Sequence, residues 1–318
     1  MIKITRNYLG KFTSKKAVTG LTVIGLLMLA IEIYLRCYWG FCDSVLMMAS
    51  KNYEYIAQPN QYRFRFRNHI FYNSFSMRSP EPDSTAVTIL GFGDSVINGG
   101  VMVDQDSLAT TLLSDTLTKR LNRKVQVLNI GAGSWGPDND YAYLLEKGDF
   151  NAKMIFLVVS SHDAFDNMDF MPVIDKVRRY ESRQYKLATW ELIDKYALPR
   201  MQKDQLSPEA GVAKKGSVFN TGFLNFYQYC FQKKLPFFIY LNPDKTELEA
   251  GRYKEEGQLI IEFCVQYNIP LIDGLATTKP YDYRGVIHMN NQGQRHIAAA
   301  IFPRILMELN HKKEQYEF

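Results

Sequence analysis

The sequence predicts an α/β fold, a three-layer α/β/α sandwich around a central, mainly parallel sheet, preceded by one transmembrane helix. Three observations carry this. Short apolar runs rich in Val, Ile, Leu and Phe recur from residue 86 onward, helical stretches separate them, and each run ends in small or polar residues. Strands that are apolar throughout are covered on both faces, and intervening helices make their connections parallel. In open parallel sheets the reactive groups collect at the carboxyl ends of the strands.

The chain begins differently. Lys3, Arg6, Lys11, Lys15 and Lys16 precede the run AVTGLTVIGLLMLAIEIYL at 17–35. At about 1.5 Å per residue that run comes close to the roughly 30 Å of a bilayer's hydrocarbon core. Glu32 is its only charge, four residues before Arg36, a helical pairing distance. LRCYWGFCD offers no small-x-small cleavage site, and Arg36 ahead of Cys37 spoils a lipoprotein-type cysteine. The expectation is an uncleaved signal anchor at 17–36, with 1–16 cytoplasmic and the remainder extracytoplasmic, in the periplasm or at the cell exterior.

Composition agrees. Of 318 residues, 46% are apolar and 22% charged, which excludes a disordered chain. A mean hydropathy of −0.23 excludes a multi-pass membrane protein. The net charge of +5 resides in the five N-terminal cations, since removing them from 38 basic residues leaves 33, equal to the acidic count. The rest is formally neutral, and nucleic acid drops out as a partner.

Residues 37–85 form a juxtamembrane lead-in. There Arg63, Phe64, Arg65, Phe66 and Arg67 alternate before a Pro-rich turn, predicting an edge strand or hairpin whose arginines face solvent. The domain at 86–318 follows in order: AVTILGFGDS, a helix near 106–121, VQVLNIGAG, a helix near 138–147, MIFLVVSSHD, then FFIYLNP and IPLIDG. Charged, aromatic sequence at about 170–222 interrupts the alternation as a lid or a surface insertion, with a mobile loop at 201–217. NNQGQRHIAAAIFPRILMELNHKK closes the chain as an amphipathic helix with a basic tail.

The first strand ends in Gly93-Asp94-Ser95. A serine at a strand-to-helix turn is exposed at the sheet edge with its own N–H facing the same space, which suits a nucleophile beside an oxyanion donor. The second strand ends in Asn129-Ile130-Gly131-Ala132-Gly133-Ser134-Trp135-Gly136 and the third in Ser160-Ser161-His162-Asp163, while Gly285-Val286-Ile287-His288-Met289-Asn290-Asn291-Gln292-Gly293 leads into the last helix. Together and in this order these blocks resemble the SGNH (GDSL-type) hydrolase family over about 86–160 and 235–305. Asn73 to Arg78 looks like the N-x-x-G-x-R lead-in of some bacterial members, with Ser76 in place of the glycine.

The resemblance implies a serine hydrolase or acyltransferase acting on O-acyl esters, with no metal and no organic cofactor. Ser95 would be the nucleophile and His288 its base. The oxyanion would be held by the Ser95 N–H, by a backbone N–H of the Gly133–Ser134 turn and by His162, which stands where the family has asparagine. The acid expected three residues before the base is Gly285, and Asp282 is the nearest substitute. Either Asp282 or a main-chain carbonyl orients His288, leaving a dyad, or the site is inactive and the chain is a membrane-tethered glycan-binding or assembly protein. In the active reading the partner is an acylated glycan or other ester substrate, most plausibly carrying acetyl groups.

Rival motifs are weaker. Ala132-Gly133-Ser134-Trp135-Gly136 reads as a variant nucleophile elbow. His162, Asp163, Asp166 and Asp169 match no standard metal spacing and read as an acidic helix start. GFGDSVINGG lacks the lysine of a phosphate loop and the spacing of a dinucleotide fingerprint. Cys37 and Cys42 lie close enough to pair in an oxidising compartment, whereas Cys230 and Cys264 read as buried.

Overall fold

The computed structural model describes residues 15–201 and 216–314, together with Val212 and Lys214. Lys3, Arg6 and Lys11, and most of the expected loop at 201–217, lie outside them. Five parallel strands form the main sheet: β5 (Val87–Gly93), β6 (Val125–Gly131), β7 (Ile155–Ser160), β8 (Phe237–Asn242) and β9 (Leu271–Asp273), in the order β6-β5-β7-β8-β9. All are among the expected strands. The order reverses at β5, so the carboxyl ends of β5 and β7 flank the crevice where open sheets place ligands.

Both faces are covered, which is why the strand sequences are apolar throughout. On one face, Ile89, Val127, Phe156 and Phe238 pack under α3 (Ala109–Leu121) and α10 (Asn291–Glu314), through Leu113, Leu117, Ile297 and Ile301. On the other, Leu90, Leu128, Leu157 and Ile239 pack under α4 (Pro137–Lys147), α7 (Gly222–Lys233) and α9 (Glu255–Gln266), through Tyr143, Phe226 and Ile260. The expected helix near 106–121 begins at Ala109, because Gln105–Ser107 form a separate 3₁₀ turn capped by Asp104.

The lead-in is two hairpins, β1 (Met47–Ser50) with β2 (Glu54–Ala57) and β3 (Gln61–Arg65) with β4 (Asn68–Tyr72). The expected hairpin is therefore present. Its two turn residues, Phe66 and Arg67, have φ of 50° and 66°, the left-handed conformations that a primed hairpin turn demands. The expectation that all three arginines face solvent needs correction. Arg65 is buried against Glu191 at 2.7 Å, Arg63 lies 3.4 Å from Asp43, and only Arg67 is exposed. A buried guanidinium needs partners for its charge and donors, and for Arg65 the insertion supplies a carboxylate.

The N-terminal helix α1 (Lys15–Trp39) contains the segment Ala17–Trp39, of mean hydropathy 2.1 and only 6% buried, long and apolar enough to cross a membrane as an anchor or a signal sequence does. At its far end Glu32 pairs with Arg36 at 2.8 Å and accepts hydrogen bonds from the N–H groups of Ala188 and Thr189 in α5 (Ala188–Leu192). The insertion thus grips the end of α1. The four cysteines are free thiols.

Candidate active site

Ser95 opens the short helix α2 (Ser95–Asn98) directly after β5. The turn is tight for steric reasons. Gly93 has φ of 152°, and a Cβ there would sit 2.2 Å from the Val158 carbonyl oxygen, while a Cβ on Gly131 would lie 1.9 Å from that of Gly93. Asp94 caps α2 by accepting the Val96 N–H at 2.7 Å, and its other oxygen lies 3.4 Å from Ser95 Oγ. Arg78, 1% exposed, donates to the carbonyls of Asn98, Gly100 and Val103 and so clamps the chain that follows α2. The N-x-x-x-x-R lead-in therefore supports the nucleophile turn. Asn73 Oδ1 closes its own loop on the Phe75 and Met77 N–H groups, and Ser76 takes φ of 62°, which explains a glycine preference there.

His288 arrives from the loop ahead of α10, and its Nε2 lies 3.1 Å from Ser95 Oγ. That loop is held by the Arg284 N–H donating to the His288 carbonyl at 2.7 Å. Gly285 has φ of 91°, so the position where an orienting acid was sought is a turn glycine.

Asp282, the substitute acid expected from the sequence, pairs with a second histidine. Its carboxylate is fully buried, with Oδ2 receiving His296 Nδ1 at 2.6 Å and the Lys279 N–H at 2.7 Å, while Oδ1 has no hydrogen-bond partner. The first turns of α10 bring His296 back over the 280–282 segment, where it meets the acid. His296, which carried no assigned role in the sequence, is its partner.

The second-strand turn is built from three segments. Ser134 has φ of 60°, and the carbonyl oxygen of Gly133 accepts the hydroxyls of Tyr55 at 2.9 Å and Tyr180 at 3.0 Å. Tyr55 comes from the lead-in and Tyr180 from the insertion. Ser134 Oγ accepts the Val212 N–H at 3.0 Å, and His288 stands on Ser95 rather than on Ser134, against the nucleophile-elbow reading.

After β7, Ser161–Ala164 form a single 3₁₀ turn capped by Ser160 and Asp163 rather than a helix. His162 Nε2 lies 3.5 Å from Asp94, 3.7 Å from Asp163 and 3.7 Å from Asp166. Burial opposes charge on this ring, but Asp163, Asp94 and Asp166 outweigh it and push the imidazole up to about 10. Burial raises Asp140 and Asp163 well above the carboxylate range, reinforced by neighbouring carboxylates, and His162 opposes the rise at Asp163. Asp94, His162 and Asp163 place their ligand atoms within 4.8 Å of one another and are the residues that could hold a metal ion. The protonated ring is itself a cation among these carboxylates. Asp169 is apart, accepting the Met171 N–H.

Sequence reasoning paired Ser95 with His288 but missed Tyr55, Tyr180, Asp140 and Arg78 as builders of the site. Only Arg78 had a signal, in its lead-in motif. The tyrosines lie about 78 and 47 residues from Gly133, and nothing in spacing could join them.

A serine after the first strand of a 2-1-3-4-5 parallel sheet, facing a histidine before the last helix, is the arrangement expected from the resemblance of the sequence to the SGNH (GDSL-type) hydrolases. No family model matches the chain, and no curated protein does. Among solved structures it is similar to the psychrotrophic esterase EstA from Pseudoalteromonas sp. (12% identity, 70% of this chain and 99% of that chain, TM-score 0.42). It is also similar to a member of the lipolytic G-D-S-L family from Veillonella parvula (14%, 69% and 97%, TM-score 0.38) and to the acetyl xylan esterase Axe2 from Geobacillus stearothermophilus (12%, 70% and 97%, TM-score 0.38).

Proposed function

We propose that this chain is a membrane-anchored, extracytoplasmic serine esterase or O-acyltransferase that forms an acyl-enzyme on Ser95. The observation that carries the reading is the 3.1 Å approach of His288 Nε2 to Ser95 Oγ, within reach for general-base catalysis. His288 takes the hydroxyl proton as Oγ attacks the ester carbonyl. The oxyanion of the tetrahedral intermediate is held by the N–H groups of Ser95 and Ser134 and by the His162 ring, whose charge favours that oxygen. Collapse expels the alcohol, which receives the proton from His288. Water or a sugar hydroxyl then attacks the acyl-enzyme, giving hydrolysis or transfer.

The grip of Ala188 and Thr189 on Glu32 supports retention of α1 as an anchor. Basic residues before the span support an outward domain, and Tyr34, Tyr38 and Trp39 at its far end suit an interfacial level. From such a position acetyl esters of envelope or extracellular glycans are the accessible substrate class. One observation favours an inactive, glycan-binding reading, namely that Asp282 is held by His296. Fluorophosphonate labelling and acetyl-ester hydrolysis by the full-length protein decide between them. The wild type is expected to label and turn over, Ser95→Ala to do neither, and equal behaviour of the two sinks the nucleophile.

A further inference from the structure

Residues of the His288 loop line an open pocket of about 570 Å³ whose lining includes Arg67, Arg284, Arg295 and Asn290 and no acidic residue. The three arginines are exposed, and none has a carboxylate partner among the described residues. They come from distant parts of the chain, the β3–β4 turn, the His288 loop and the first turns of α10, so only the fold assembles them. Arg63 and Arg65, by contrast, were each given an acid. Three like charges around one cavity repel, and an anion relieves that repulsion. Guanidinium forks match phosphate oxygens in a bidentate way.

The position identifies the source of the anion. The Arg67 guanidinium lies 5.2 Å from the ring of Tyr38, and the Phe66 N–H donates to the Trp39 carbonyl at 2.9 Å. Tyr38 and Trp39 are the last two residues of the candidate span. The cavity therefore stands one side chain beyond the end of that span, at the level of the headgroup layer that flanks the hydrocarbon core. We infer that the cavity is a binding site for the phosphate of an anionic membrane lipid, held by Arg67, Arg284 and Arg295 and seating the domain with its His288 loop against the bilayer. The inference rests on the reading of α1 as a membrane anchor and is independent of catalysis at Ser95.

Native mass spectrometry of the full-length protein in detergent, offered phosphatidylglycerol and phosphatidylcholine in equal amounts, tests it. The wild type is expected to retain phosphatidylglycerol selectively, and R67Q/R284Q/R295Q to bind it about a hundredfold more weakly at an unchanged melting temperature, from roughly fivefold per guanidinium. Equal retention of both lipids by the wild type, or undiminished selectivity in the triple variant, overturns the proposal. Displacement of the lipid by inorganic phosphate at comparable concentration assigns the site to soluble phosphate and overturns the lipid source. Extraction of the full chain from membranes by alkaline carbonate overturns the anchor reading and this one with it, while leaving Ser95 labelling as a separate result.

Discussion

Removing the hydroxyls that hold Gly133 tests the oxyanion turn directly. The peptide joining Gly133 to Ser134 is planar, so its C=O and N–H point in opposite directions, and fixing one fixes the other. Tyr55 and Tyr180 grip the carbonyl at 2.9 and 3.0 Å, with exposures of 1% and 6% and their rings edge to face at 5.0 Å. Tyr→Phe at either position keeps the ring and removes one hydrogen bond worth about 0.5–1.5 kcal/mol, while the second still holds the carbonyl. Each single variant is therefore expected to lose roughly 2- to 12-fold in kcat. The double variant leaves a buried carbonyl unpaired and frees the peptide to rotate. The loss then approaches that of a whole oxyanion donor, about 10²–10³-fold in kcat with KM little changed. Steady-state ester hydrolysis by the wild type, both singles and the double variant measures it. A double variant equal to the product of the singles, or one that changes KM alone, refutes the reasoning.

Other outcomes follow from the same geometry. Asp282→Asn weakens the pairing with His296, so it is expected to lower stability by about 1–3 kcal/mol while kcat stays within about tenfold; a fall near 10⁴-fold without a change in melting temperature would return Asp282 to the role of orienting acid. His162 is raised to about 10 from an unfolded value near 6.5, so its stabilisation is complete below about pH 6.5 and lost as pH rises toward 10. Urea midpoints should fall from neutral pH to pH 10 and fall less steeply in His162→Gln, and parallel slopes would contradict this. Glu191→Ala strands the buried Arg65, while Lys195 keeps Glu181, with an expected cost of about 3–5 kcal/mol in denaturant unfolding; a loss under about 1 kcal/mol would show the Arg65 pair to be dispensable.

Much of the fold was legible because its determinants are local. The apolar runs at 87–93, 125–131 and 155–160 could be read as doubly covered strands from their content alone, and Ser95 from its place at a strand end, whereas His288 was implied by the family resemblance. Strand order was not read from the sequence and comes from the structure. The pairing of Asp282 with His296 was not legible, because sequence distance says nothing of which histidine turns toward an acid. His296 lies one helical turn inside α10, and burial made their pairing the better solution.

By itself, the sequence determined the layers and the candidate span, since periodicity and hydropathy act over a few residues, while the pairing of Ser95 with His288 was implied by the family resemblance. Tertiary structure alone decided which acid meets which base, which hydroxyls hold the Gly133 carbonyl, which of Arg63, Arg65 and Arg67 stays free, and how the insertion grips α1. Each of those outcomes depends on groups 14 to 157 residues apart, which meet only when the core closes.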